Sequence, residues 1–97
     1  MNKEEYIEHL INVIHESHSM KVTHAMTVPV CETIEGKPIW DGRVEVFDIY
    51  QNHEAKFFAW GFREDGQFKT VVILGVPPVD TPQKAVQAYL VSLSETS

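Results

Sequence analysis

The chain has 97 residues, a formal net charge of −6 from eight Lys and Arg against fourteen Asp and Glu, and one cysteine. That length makes one domain and excludes two catalytic domains around a deep cleft. The eight cations are scattered singly, whereas tight binding to a phosphate backbone or an anionic membrane surface needs them clustered.

Residues 3–19 have the spacing of an amphipathic helix. Ile7, Leu10, Ile11, Ile14 and His18 recur on one face of a 3.6-residue period. Glu4, Glu5 and Glu8 sit near its start, where the helix dipole favours anions. From residue 24 the period changes to two, with Met26, Val28 and Val30 alternating with Thr27 and Pro29. Pro29 lacks a backbone donor and assigns this strand to a sheet edge. Glu35-Gly36-Lys37-Pro38 marks a turn.

A second strand is expected over about 39–50. Trp40, Val44 and Val46 share one parity, and Phe47 and Ile49 the other. A bulge near Val46-Phe47 accounts for the switch, and so does burial on both faces. Asp41-Gly42 is a competing hairpin turn inside this stretch, ranked second. After a polar turn at 51–54, residues 55–63 form a third strand. One face carries Phe58, Trp60 and Phe62; the other carries Ala55, Phe57, Ala59 and Gly61. Glu64-Asp65-Gly66-Gln67 is the clearest hairpin turn. The fourth strand, 68–76, has an apolar centre that suggests two-sided burial. Thr81-Pro82 reads as N-cap and first residue of a second helix, with Val86, Tyr89, Leu90 and Leu93 facing inward.

The elements give an α+β fold of order α-β-β-β-β-α. A four-stranded antiparallel sheet with the N- and C-terminal helices on one face is the simplest architecture. In that arrangement the helices lie on the small residues Ala55, Ala59 and Gly61, and the Phe58/Trp60/Phe62 parity occupies the other face.

Three segments carry a resemblance: Trp40-Asp41-Gly42-Arg43-Val44-Glu45-Val46-Phe47, Asn52-His53 through Ala59-Trp60, and Pro77-Pro78-Val79-Asp80-Thr81-Pro82. Together, over roughly residues 24–90, the chain resembles a group of small uncharacterised bacterial proteins. The resemblance implies a small soluble domain and no particular activity. The element order is also similar to that of double-stranded RNA-binding domains. Thr81-Pro82-Gln83-Lys84 lacks the basic residues such a domain carries at the start of its last helix, so nucleic acid is not an expected partner.

His9, His15, His18 and His24 fall within sixteen residues, but His15 and His18 are three apart rather than the four of a zinc-protease helix. The reading taken is a polar helix end with titrating histidines, without a metal or other cofactor. Cys31, beside Glu32, is read as a plain strand residue. It has no partner for an intrachain disulfide, which fits a reducing compartment. The polar N-terminus and the short aliphatic run Val71–Leu74 complete the expectation of a cytoplasmic, non-membrane protein. The carboxylate pairs, including Asp41/Glu45, are read as surface groups, and no catalytic set is apparent.

The aromatics of the middle strands are the informative feature. Two short helices do not cover both faces of a four-stranded sheet, so the second face must curl inward, lie exposed, or be buried against something else. The expected function is therefore a small binding or assembly module. Trp40, Phe58, Trp60 and Phe62 form its partner surface, with a homodimer or another protein as partner. The alternative is a small-molecule or enzymatic pocket between the curved sheet and the helices, using Trp40, Trp60 and one histidine.

Overall fold

A computed structural model describes residues 1–95. The elements follow in the expected order: α1 (Lys3–His18), β1 (Val22–Ile34), β2 (Lys37–Ile49), β3 (Asn52–Glu64), β4 (Gln67–Gly75) and α2 (Pro82–Glu95). The four strands form one antiparallel meander in sequence order, so β1 and β4 are its edges. Pro29 lies on edge strand β1, the position in a sheet where a residue without a backbone donor is tolerated.

Local chemistry sets the element ends. The Asn2 side chain accepts from the Glu5 amide at 2.8 Å and donates to the Glu5 carboxylate at 2.8 Å, a reciprocal cap for α1. At α2 the Thr81 hydroxyl accepts from the Lys84 amide at 3.2 Å, with Pro82 as first helical residue. Two hairpins turn on Glu35-Gly36 and Asp65-Gly66, all four residues at positive φ, which matches the twist of the flanking strands. The Asp41-Gly42 alternative is not used; both residues lie within β2.

The parity switch in β2 is two-sided burial. Val44, Glu45, Val46 and Phe47 are all buried. The irregularity lies across the ladder, where β1 slips by one residue between His24 and Met26, opposite Phe47 and Val46.

Each helix covers its own face of the sheet, which corrects the one-faced arrangement. Leu10 and Ile14 of α1 pack with Phe47, Ile49, Ala55, Phe57 and Ala59. Ala85 and Val86 of α2 pack with Val30, Val44, Val46, Phe58 and Trp60. Phe57 and Ala59 alternate with Phe58 and Trp60 along β3, so the two sets point to opposite faces. The small residues do admit a helix, but only α1. The connector after β4 carries the chain to the other face, where α2 shelters the larger aromatic surface and lies against β1. There Gln87 donates to Glu32 at 2.9 Å, and Gln83 also bonds the Glu32 carboxylate.

Because the rings of Phe57 and Phe58 anchor separate cores, replacing either by Ala should cost about 3–5 kcal/mol. Urea unfolding monitored by circular dichroism measures this. A loss below about 1 kcal/mol for either ring would contradict burial on both faces.

Candidate functional site: a fork between β2 and β3

The two outer hairpins stay paired to the turns at one end of the sheet, but the central ladder, paired beside its own turn at the other end, stops short of them. β1 and β2 pair to Ile34–Lys37, and β3 and β4 pair to Glu64–Gln67. β2 and β3 pair only from Ile49–Asn52 to Glu45–Ala59. Beyond Glu45 the hairpins separate, so the 41–43 stretch of β2 and the 61–63 stretch of β3 border a fork. Long strands twist and bulges add to it: the β1–β2 ladder slips between His24 and Met26 and again between Glu32 and Thr33, while the β3–β4 ladder has no slip. Side-chain packing wedges the opening. The Phe68 ring lies over Gly61 so closely that a Cβ there would stand 2.4 Å from its Cζ. The Gly61 N–H is taken up by the Tyr6 hydroxyl of α1 at 2.7 Å rather than by β2.

Two clefts border this fork and share Arg43 and Gly61. The first, of about 520 Å³, lies beside the start of α1 and is lined by Lys3, Tyr6, Arg43, Glu45, Arg63 and Phe68 among others. The second, of about 290 Å³, lies beside α2, with Trp40, Trp60, Phe62, Tyr89 and Leu90 in its walls.

The polar cleft is anchored by Glu45, which is only 2% exposed. Its Oε1 accepts from His24 Nε2 at 2.8 Å and from the Thr27 hydroxyl, and Thr27 Oγ1 accepts in turn from Lys3 Nζ at 2.9 Å. A buried carboxylate without such partners would cost several kcal/mol. The expectation of a surface Glu45 is therefore corrected, while Asp41 is exposed as expected. The missed signal was parity: Glu45 shares the face of Phe47 and Ile49, beneath α1. Burial pushes the Tyr6 phenol above its ordinary value. The Gly61 N–H opposes that rise, and the charge of Glu45 adds to it.

In the aromatic cleft the Trp60 ring meets Trp40 at 5.3 Å and Tyr89 at 5.4 Å, both edge to face. Of the four sequence-predicted site residues, Trp60 (3% exposed) and Phe58 (1%) belong to the core beneath α2. Trp40 and Phe62 are half-buried and line the cleft. The indole N–H of Trp60 is buried with no hydrogen-bond acceptor among the described residues. Tyr89 completes the site; it was legible as an inward helix position, but not as a wall of a cleft.

The histidines go to separate places. His9 stacks edge-on against Phe68, His18 tilts against Phe57, and His24 holds Glu45. Among the described residues no group of three His, Cys, Asp or Glu is placed to hold a metal ion. Cys31 is exposed on β1. Among the described residues no helix is long and apolar enough to cross a membrane. Comparison with protein-family models, curated proteins and solved structures finds no match.

The raised Tyr6 value links the fork to pH. Below about pH 10, the ordinary tyrosine value, the phenol is protonated folded and unfolded and its contribution is fully present. As pH rises further the unfolded chain ionises first, and the contribution is lost through the higher folded value. Urea unfolding at about pH 8 and pH 11 should therefore show a steeper loss of stability in the wild type than in Tyr6→Phe. At pH 8 the variant itself should be weaker by about 1–3 kcal/mol, having orphaned the Gly61 N–H. Equal pH dependence in the two proteins would contradict this reading.

Proposed function

We propose that the chain is a small-molecule-binding module whose ligand places an aromatic or apolar group in the cleft between the sheet and α2. The observation that carries this reading is the fork itself, which opens a concave aromatic site where a continuous sheet would have none. Binding sites of this kind are concave and mostly apolar, with a few polar groups that fix orientation. Trp40, Phe62 and Tyr89 supply the apolar walls, and Trp60, held edge to face between Trp40 and Tyr89, forms the floor they share. Neither cleft is lined by a histidine among the described residues.

Self-association is the second reading, and the β4 edge is what favours it. The outer edge of β4 has no neighbouring strand among the described residues. Val71, Val72 and Ile73 are half-buried there, and Leu74 is 40% exposed. Natural sheets usually protect such an edge by charge, bulge or cover. The aromatic face is less suited to a protein partner, since α2 already covers Phe58 and Trp60.

Both tryptophans of the chain line the aromatic cleft, so their indole N–H resonances report its occupancy. Millimolar phenylacetamide or benzyl alcohol should shift both saturably, and Trp40→Leu should abolish the effect while the protein stays folded. Indole resonances unmoved by either compound would refute the binding reading. For the second reading, sedimentation equilibrium should show a dimer that Leu74→Lys weakens. A concentration-independent monomer would refute it.

A further inference from the structure

The cations of this acidic chain are not placed evenly. Its only two arginines, Arg43 and Arg63, line the same cleft together with Lys3. Three lysines elsewhere are matched to carboxylates: Lys56 to Asp48, Lys69 to Glu64 and Lys84 to Asp80. Neither arginine has an ion pair among the described residues. The Arg63 guanidinium lies 5.9 Å from the centre of the Phe68 ring, a cation–π contact that leaves its N–H fork unused.

The other groups at the cleft do not neutralise this positive pole. Lys3, Arg43 and Arg63 face one lining carboxylate, Glu45, so positive charge remains in excess, and a further carboxylate, the exposed Asp41, lines the aromatic cleft. Tyr6 is held in its neutral form at ordinary pH, and its hydroxyl accepts from Gly61 while keeping its own proton to donate. Arg43 lines both clefts, and its parity with Glu45 assigns its side chain to the α1 side, so the polar and aromatic sites adjoin across the fork at this residue.

We infer that the ligand of the fork is a small aromatic or apolar oxyanion, whose carboxylate or phosphate group is bound by Arg43 and Arg63 on the α1 side while its ring reaches through the fork to Trp40, Phe62 and Tyr89 on the α2 side. This rests on the binding reading above and adds the charge class to it. Guanidinium suits both oxyanions, because its paired N–H groups match their geometry. Two cations around one anionic group also make binding sensitive to ionic strength.

The test compares probes of matched shape. Phenylacetate and phenylacetamide differ in charge at the same position, and phenyl phosphate supplies the other oxyanion. Titrations followed by the tryptophan indole resonances should show at least one acid binding about tenfold or more tighter than the amide, a difference of about 1.4 kcal/mol. The tighter acid tells carboxylate from phosphate. Arg43→Gln and Arg63→Gln should each remove most of that advantage, and about 0.5 M NaCl should reduce it. The circular dichroism spectrum and the urea midpoint of each variant should match the wild type, which shows that the fold is intact. If the amide binds as tightly as both acids, or if the acid advantage survives in the double variant, the charge inference is overturned and the aromatic cleft stands. If no probe, neutral or charged, moves either indole, the binding reading itself falls.

Discussion

The structure depends on the early end of one ladder. Were β2 and β3 paired along their full length, Arg43 would lie opposite Gly61 and the sheet would be closed. Instead pairing stops at Glu45–Ala59, while the flanking hairpins continue to their turns. A strand edge inside a sheet must have its polar groups satisfied. Here the Tyr6 hydroxyl does part of this, by taking the Gly61 N–H. The helix that covers one face of the sheet thus also caps part of the open edge at its centre. Phe68, packed on Gly61, fills space that a side chain on β3 would need.

The two helices divide the burial between opposite faces, and this gives the fork its two characters. On the α1 side the core of Leu10, Ile14, Phe47 and Phe57 ends at Glu45, and a polar chain from His24 through Thr27 to Lys3 takes over. On the α2 side the apolar surface continues through Phe58 and Trp60 to the rings of Trp40 and Tyr89. The fork therefore has a cationic cleft on the α1 side and an aromatic cleft on the α2 side, with Arg43 and Gly61 in the lining of both. The surplus of aromatic side chains on the middle strands finds its place here. Part of it is sheltered by α2, and part of it walls a cleft.

Much of the fold is legible in the sequence because local chemistry dictates it. Gly36 and Gly66 permit the turns that set two hairpins, and Thr81-Pro82 starts α2. The side of the sheet taken by α2 is not legible, because both parities of β3 are apolar and the connector after β4 can lead to either face. Glu45 reads as a surface residue when paired with Asp41, and as buried when grouped with Phe47 and Ile49; only the position of α1 decides. The fork is the least legible feature. Ladder length depends on how two long hairpins twist against their helices, and no local residue pattern states it. Trp40, Trp60 and Phe62 are recognisable as a group, but their division between core and cleft needs the placement of Tyr89.

The most direct test of this account is the set of cross-strand backbone nuclear Overhauser effects between β2 and β3. The account predicts contacts from Asp48–Lys56 up to Glu45–Ala59, and none between Arg43 and Gly61 or between Asp41 and Arg63. Contacts that continue through those two pairs would mean a closed sheet, and would contradict the fork on which the site is built.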